Sequence, residues 1–396
     1  MAIKRISEWR KLPVTLTELC IDTTLRCGQS FRWRKLDDEW VCTLHGRILA
    51  LKQDPSHLHY KVTWPEQPLT PPSSADVQDD TESLLRNYFN LSLDLKSLYE
   101  HWSDVDPNFR KRAPEFAGVR ILNQDAWETL LGFICSSNNN ISRISQMVHK
   151  LCKYYGPLLG YVGEEAMHDF PTPSSLTGRG VESHLRELGF GYRARYIAET
   201  ARKVALEKPA DWLESLRNPE QPSFNPVPVP NRDHATYKGA HDELLSLSGV
   251  GPKVADCVCL MGLGWGESVP VDTHVWQIAQ RDYKFGKVKT KTFNKVMYDS
   301  VGDHFRGLWG KYAGWAHSVL FTADLRDFAD RTPKKEVVKV EVKEEPASPS
   351  SGRGARKRKV VTEIKTETSV KVEETEKGPV FEVQTRTKRR RTRVSA

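Results

Sequence analysis

Residues 244–276, LLSLSGVGPKVADCVCLMGLGWGESVPVDTHVW, constrain the fold of this chain more than any other stretch. Apolar residues end one helix, a tight turn follows at 248–251, and Pro252 opens a second helix with an apolar stripe every three or four residues. The turn leaves free backbone N–H groups at the start of the second helix, which suits a nucleic-acid phosphate. Gly249 and Gly251 are therefore candidate phosphate-binding residues.

Lys253 lies in the first turn of this second helix, where the helix dipole disfavours a cation by about 0.3–1 kcal/mol. The same field, together with burial, is expected to make the amine a usable nucleophile. The alternative is an exposed lysine that pairs with Asp256, three residues further along the helix.

Asp272 is the second candidate for chemistry. The helix is predicted to continue to about Leu263, and residues 264–271 are then long enough to return to its start. Asp272 follows them as the predicted N-cap of the next helix, so its carboxylate and Lys253 can face one cavity. A plain helix cap is the alternative role.

This pattern resembles the helix-hairpin-helix and Gly/Pro-Asp signature of base-excision DNA glycosylases. The segments GVGPKVADCVCLM and PVDTHVWQIAQRDY are similar in particular to eukaryotic 8-oxoguanine DNA glycosylase/lyases, and the likeness covers about residues 5–328. The resemblance implies Lys253 as nucleophile and Asp272 as the carboxylate that stabilises the cationic sugar. It implies no metal and no organic cofactor, because the amine supplies the covalent chemistry. It also places Cys257, Met261 and Pro270 in the base pocket and His274 among the DNA-binding residues.

Composition excludes several classes of protein. Mean hydropathy is −0.55, and no apolar run reaches the length of a membrane span. The N-terminus lacks the apolar segment of a secretory signal, and seven scattered cysteines indicate a reducing compartment. No C-x-x-C pair occurs, so the iron–sulfur loop of some glycosylases is not expected.

Residues 1–105 are predicted to form a small antiparallel sheet in an α+β domain, from strand-like runs at 30–34, 40–51 and 58–64, with a surface loop at 65–81. The segment CGQSFRW at 27–33 matches the glycosylase family. By this resemblance the carbonyl of Gly28 accepts a hydrogen bond from N7–H of the oxidised purine. A turn glycine before a strand is the alternative.

Residues 106–331 are predicted to be an all-helical body, with helices at 125–135, 141–155 and 310–328 and a Pro-rich insert at 219–233 to which no chemistry is assigned. The resemblance assigns DNA contacts around the orphaned cytosine to Asn138, Arg143, Tyr192 and Arg193. Tyr192 would wedge between bases. A helix-helix turn at Asn138 and a solvated arginine face at 193 are the alternatives.

Two residues of the last predicted helix complete the base pocket by resemblance. Phe321 would stack on the extruded base opposite Cys257, although a core phenylalanine is the alternative. His317 departs from the family, which usually has a glutamine that reads the Watson–Crick edge of the purine. A neutral histidine offers one donor and one acceptor on two ring nitrogens, whereas glutamine offers both from one terminal amide group.

The tail, residues 332–396, is predicted to be disordered and basic. It holds 18 Lys and Arg against 10 Asp and Glu, which leaves 41 of each in residues 1–331. Four apolar-Lys-x-Glu words resemble attachment sites for a small ubiquitin-like modifier; chance in so biased a composition is the alternative. Basic blocks at 353–359 and 386–393 indicate nuclear import or non-specific DNA binding.

The sequence therefore predicts a bifunctional repair enzyme that excises 8-oxoguanine paired with cytosine from duplex DNA. It is expected to act as a monomer in the nucleus, and also in the mitochondrion, without a membrane. A glycosylase for another oxidised or mismatched base is one alternative. A non-catalytic helix-hairpin-helix module that binds duplex DNA is another, against which the pairing of Lys253 with Asp272 argues.

Overall fold

The computed structural model describes residues 5–65, 79–226, 229, 234–286, 294–331, 359–375 and 378–394. Residues up to Thr332 form one compact unit, and a second unit begins at Pro333. Most of the loop predicted at 65–81, part of the Pro-rich insert, the first two Lys-x-Glu words and most of the first basic block lie outside the described residues.

An antiparallel sheet of five strands occupies the N-terminal part of the first unit, in the order β1-β5-β4-β3-β2. Its strands are β1 (Arg10–Pro13), β2 (Arg34–Leu36), β3 (Glu39–Leu44), β4 (Arg47–Gln53) and β5 (His57–Thr63). The run predicted at 40–51 is a hairpin rather than one strand. His45 and Gly46 have φ of 48° and 71°, as a two-residue hairpin turn requires.

The strand predicted at 30–34 is wrong for most of its length, since β2 begins only at Arg34. The preceding segment is held by tertiary hydrogen bonds, such as that from Gln29 Nε2 to the carbonyl oxygen of Arg120 at 2.7 Å. Gly28 has a φ of 87°, and a Cβ there would lie 3.1 Å from Ile141 Cδ1. This segment is consequently a bridge from the sheet to the helices and carries Gly28 toward them.

Helices form most of the remainder of the first unit, which confirms the α+β fold. They are α1 (Ile21–Thr24), α2 (Thr81–Tyr88), α3 (Leu95–Val105), α4 (Pro107–Arg112), α5 (Ala126–Ser136), α6 (Ile141–Tyr155), α7 (Val181–Glu187), α8 (Arg193–Arg202), α9 (Trp212–Ser215), α10 (Tyr237–Leu245), α11 (Pro252–Met261), α12 (Thr273–Asp282), α13 (Lys295–Trp309) and α14 (Ala313–Asp324). Short 3-10 turns occupy Ala113–Phe116, Pro173–Leu176, Gly310–Tyr312 and Arg326–Arg331, and a π turn occupies Lys203–Glu207. The single helix predicted at 310–328 is therefore α14 flanked by two turns.

One hairpin interrupts the body that was predicted to be all-helical. It consists of β6 (Leu158–Val162) and β7 (Glu165–His168). Its Met167 is buried with Val41, Ile48 and Ala50 of the N-terminal sheet. The hairpin thus covers an apolar face of that sheet, and this long-range packing stabilises strands in an otherwise helical stretch.

The predicted helix-hairpin-helix motif is present as α10, a turn and α11. The second helix ends at Met261, two residues earlier than expected, with Gly262 as its C-cap. Gly249 has a φ of 78°, and a Cβ there would lie 2.6 Å from the Tyr196 ring. A side chain at 249 would therefore push apart the turn and α8.

The first part of the Pro-rich insert is more closely packed than the predicted surface loop. The carbonyl oxygen of Pro222 accepts hydrogen bonds from Asn87 Nδ2 at 3.1 Å and Asn123 Nδ2 at 3.0 Å. Phe224 packs against the apolar core of the N-terminal sheet. This part of the insert is therefore packed against the N-terminal sheet region.

The second unit contains β8 (Lys359–Thr375) and β9 (Gly378–Val394), which pair antiparallel. They form a two-stranded sheet of their own. Such a pair is only marginally stable in water, which agrees with the prediction that the tail has no stable fold.

Candidate active site

A cavity of about 50 Å³ lies where α11 and α14 meet the segment before β2. All eight residues predicted for catalysis or for the base pocket line it: Gly28, Lys253, Cys257, Met261, Pro270, Asp272, His317 and Phe321. Five further lining residues were not predicted: Cys27, Gln29, Phe133, Ser318 and Thr322. Residues from four distant parts of the sequence therefore meet in one site.

Lys253 is half-buried, and its amine is held by helix α5. Nζ donates a hydrogen bond to Ser136 Oγ at 3.2 Å and lies 4.9 Å from the centroid of the Phe133 ring. The sequence alone did not assign these contacts.

The predicted alternative, a surface pair between Lys253 and Asp256, is wrong. Asp256 is 2% exposed and accepts hydrogen bonds from the hydroxyls of Tyr237, Ser268 and Tyr298. Its helical position points it into the core, where hydroxyl donors compensate its burial. The lysine is thus not paired with the carboxylate nearest in sequence.

Asp272 caps α12, as predicted, and also lines the cavity. Its Oδ1 accepts a hydrogen bond from the backbone N–H of Val275 at 3.0 Å. A capping carboxylate is restrained by the helix that it caps, which fixes its direction. The cap and the cavity roles are compatible in this geometry.

Cys257 is a neutral thiol in this site. Burial raises its pKa to about 12, although the nearby charge of Lys253 acts in the opposite direction. A thiol with such a pKa contributes polarisable surface rather than a nucleophile. The amine of Lys253 is therefore a better candidate for a nucleophile than this thiol.

His317 is buried in the cavity wall, at 6% exposure, and neither ring nitrogen has a hydrogen-bond partner among the described residues. The centroid of its ring lies 6.3 Å from that of Phe305 and 6.3 Å from that of Phe321. Burial lowers its pKa to about 4, and the charge of Asp272 only partly opposes this. The imidazole is thus neutral at pH 7, with one donor and one acceptor unused.

Three of the predicted DNA-contacting residues lie together outside the cavity. The Tyr192 hydroxyl donates to the carbonyl oxygen of Ser137 at 3.0 Å, and Arg193 Nη2 donates to that of Asn138 at 3.2 Å. The Arg193 guanidinium also lies 4.5 Å from the centroid of the Tyr192 ring. Tyr192 is exposed while Arg193 is buried, so contact of Arg193 with a base requires exchange of its carbonyl acceptors.

Of the other predicted DNA-contacting residues, Arg143, Gly251 and His274 are exposed, and Gly249 is half-buried. Arg143 lies in the first turn of α6, and Gly251 is the N-cap of α11. His274 packs its ring edge-on against Phe321, with centroids 6.1 Å apart. His274 therefore adjoins the cavity from the solvent side, although it was predicted only as a DNA-binding residue.

No group of three or more His, Cys, Asp or Glu side chains in the described part of the chain is arranged to hold a metal ion. No helix within the described ranges is both long and apolar enough to cross a membrane. All seven cysteines are free.

Comparison with known proteins identifies the family. Residues 11–130 match the N-terminal domain of 8-oxoguanine DNA glycosylase, and residues 131–298 match the HhH-GPD superfamily of base excision DNA repair proteins. The chain is 39% identical over 341 residues to the N-glycosylase/DNA lyase of Saccharomyces cerevisiae, over 80% of this chain and 86% of the yeast protein. The chain belongs to the 8-oxoguanine DNA glycosylase family.

Other relatives agree with this assignment. The chain is 35% identical over 322 residues to an N-glycosylase/DNA lyase of Arabidopsis thaliana, which covers 80% of both chains. It is also similar to the crystal structure of a Clostridium acetobutylicum 8-oxoguanine glycosylase/lyase in complex with double-stranded DNA that contains cytosine opposite 8-oxoguanine. That match has a TM-score of 0.62 and 25% identity, and it covers 81% of this chain and 98% of the other.

Proposed function

We propose that this protein is a bifunctional DNA repair glycosylase/lyase that excises 8-oxoguanine opposite cytosine and then cleaves the strand. The observation that carries the proposal is the shared cavity of Lys253 and Asp272, whose wall also holds the unpaired imidazole of His317. A phosphate-binding module needs neither the amine nor the carboxylate. The family assignment supports the same reaction class.

The reaction begins with extrusion of the damaged nucleotide from the duplex, at a cost of a few kcal/mol. The Lys253 amine forms a bond to sugar C1′ while the glycosidic bond breaks, and the base leaves with the bonding electron pair and takes up a proton. Asp272 stabilises the positive charge that develops on the sugar and assists proton transfer. The bound amine then gives up a proton, O4′ takes up a proton and the C1′–O4′ bond breaks, which opens the sugar ring and forms an imine at C1′. The imine acidifies the 2′ proton, so elimination breaks the 3′ C–O bond with the 3′ phosphate as leaving group, and hydrolysis of the imine then frees Lys253.

The cavity wall supplies base recognition. The Gly28 carbonyl accepts from N7–H of the oxidised purine, a donor that guanine lacks. Phe321 and Cys257 enclose the two faces of the base, and Met261 and Pro270 complete the apolar walls. His317, with its unpaired nitrogens, faces the Watson–Crick edge.

Residues outside the cavity hold the duplex around the extruded nucleotide. Asn138 fills the vacated space, Tyr192 wedges between bases, and Arg143 and Arg193 contact the orphaned cytosine. The remaining duplex contacts come from Gly249, Gly251 and His274. The first two offer backbone N–H groups to phosphate at the start of α11.

We also propose an oligomeric state, a location, a domain division and a tail modification for the protein. The enzyme acts as a monomer in the nucleus, and also in the mitochondrion. The chain divides into a sheet domain at 1–105, a helical body at 106–331 and a tail at 332–396. The tail lysines in the apolar-Lys-x-Glu words accept a small ubiquitin-like modifier.

The test is incubation with duplexes that hold one 8-oxoguanine opposite each of the four bases in turn. We expect fastest base release opposite cytosine, followed by strand cleavage. His317 favours a second candidate, a glycosylase for another oxidised or mismatched base, because its donor and acceptor differ from those of glutamine. Release of such a base in preference to 8-oxoguanine would support this candidate, and binding without any release would support a non-catalytic module.

A further inference from the structure

Asp256 is a buried carboxylate on the helix that carries Lys253, and the reaction proposed above does not use it. Its side chain is 2% exposed and accepts hydrogen bonds from three hydroxyls, those of Tyr237, Ser268 and Tyr298. Burial raises its pKa. Burial of a carboxylate is unfavourable unless well-placed partners compensate it. An apolar residue would fill this part of the core without that penalty.

Two of the three donors connect Asp256 to the segment that returns to Asp272. Ser268, in that segment, donates its hydroxyl to Asp256 at 2.9 Å from both the backbone oxygen and Oδ1. Tyr298, on α13, donates to Asp256 Oδ2, and its oxygen accepts the backbone N–H of Val271 at 3.3 Å. Val271 immediately precedes Asp272 in the chain.

We propose that Asp256 and Tyr298 are positioning residues for Asp272. This inference rests on the proposed function, because it assigns them an effect on base release. Helix α11 carries both Lys253 and Asp256, and Asp256 binds the returning segment. The nucleophile and the Asp272 carboxylate are therefore held relative to the same helix. The Tyr298 hydroxyl closes the link by joining Asp256 to the backbone N–H of Val271, the residue before Asp272.

The expected effect is kinetic, because small displacements of reacting groups are costly: about 1 Å can reduce a rate about 100-fold. Tyr298→Phe removes the hydroxyl and keeps the ring. We expect single-turnover base release to fall at least about tenfold, with affinity for the damaged duplex within about twofold of wild type. The variant's loss in rate should thus appear in the chemical step and not in binding.

Tyr237→Phe is the matched control. It removes another hydroxyl from the same carboxylate, but Tyr237 lies on α10, and among the described contacts its hydroxyl meets the returning segment at Ser268 and not at the Val271 amide that Tyr298 binds. Base release by this variant should stay within about threefold of wild type even where its melting temperature falls as far as that of Tyr298→Phe. Equal loss of base release in the two variants would overturn the proposal, because it would show a general effect of the weakened core.

Two further measurements separate positioning from general stability. In an Asp272→Asn background, Tyr298→Phe should cost little additional rate, whereas additive losses would contradict the proposed link. Hydrogen exchange should show the Val271 amide exchanging at least about tenfold faster in Tyr298→Phe than in wild type or Tyr237→Phe. Because exchange needs no substrate, unchanged protection overturns the proposal. A wild-type enzyme that releases no 8-oxoguanine instead overturns the proposed function alone.

Discussion

Lys253 Nζ lies 3.2 Å from Ser136 Oγ, so the amine at the start of α11 is held by the last residue of α5. The serine hydroxyl in turn donates to the carbonyl oxygen of Phe133 at 2.7 Å. This chain of hydrogen bonds restrains an otherwise flexible side chain before substrate arrives. Orientation of a nucleophile is a large part of catalysis, so the contact is expected to affect rate.

Ser136→Ala should slow base release about fivefold, equivalent to the roughly 1 kcal/mol of one hydrogen bond. The fold should be retained, because the substitution is small and lies at a helix end. Single-turnover base release measures the effect. Ser137→Ala is the control, because Ser137 contributes its backbone carbonyl to Tyr192 and Arg193. A full wild-type rate in Ser136→Ala would show that the amine needs no such restraint.

Asp272→Asn should slow base release about 100-fold while the folded structure persists. Asparagine also caps helices well, so the change removes the charge more than the cap, at a stability cost of at most about 1 kcal/mol. Base release and melting temperature should be measured on the same preparation. Unfolding of the variant, or an unchanged rate, would leave Asp272 with the cap role alone.

His317 gives two predictions for excision. His317→Gln should leave the rate for 8-oxoguanine similar or increase it, because glutamine offers its donor and acceptor from one terminal amide group. His317→Ala should cost about 1–3 kcal/mol, since polar groups of the base lose their partner. Competition assays between damaged and normal duplexes measure both changes. Equal activity for all three side chains would show that this position does not read the base.

The same histidine should make stability depend on pH. Its pKa of about 4 in the folded protein lies below the ordinary value of 6.5 because the ring is buried. The unfolded chain therefore binds the proton first, and folding stability falls as pH drops from about 6.5 to 4, by up to about 1.4 kcal/mol per pH unit. Denaturant unfolding of wild type and His317→Gln should diverge in this window and run parallel at pH 7–8. Parallel curves throughout would contradict a neutral buried imidazole.

Truncation after Arg331 should leave single-turnover base excision unchanged at saturating enzyme. All of the chain's net charge, +8, lies beyond this point, and phosphate contacts from such an arm are salt-sensitive. The truncated protein should bind undamaged DNA more weakly, show a flatter salt dependence and accumulate less in the nucleus. A full-length salt slope together with normal nuclear localisation would show that the tail has neither role.

Sequence reasoning succeeded where the signal is local. The hairpin around Gly249, the opening of α11 at Pro252 and the cap at Asp272 each follow from a few consecutive residues. It failed where packing decides, as at Asp256, whose surface pairing was the local expectation. Contacts such as Tyr298 with Val271 join residues on different elements, and periodicity carries no information about them.

The base pocket also separates what the sequence predicts from what packing decides. Resemblance to the family supplied its six predicted residues, and the structure places all of them around the cavity that Lys253 and Asp272 also line. The lack of partners for both nitrogens of His317 could not be predicted, because it depends on every neighbour of the ring. The sequence therefore predicted which residues form the pocket, while the fold determined what surrounds each of them.

The central claim, that Lys253 is the nucleophile, is tested most directly by borohydride trapping on a duplex that holds 8-oxoguanine opposite cytosine. Borohydride reduces the imine between enzyme and sugar to a stable bond, so the adduct reports the nucleophile itself. We predict an adduct with the wild type and none with Lys253→Gln, while that variant keeps its fold and most of its duplex affinity. An undiminished adduct with Lys253→Gln would contradict the account and place the reactive amine elsewhere.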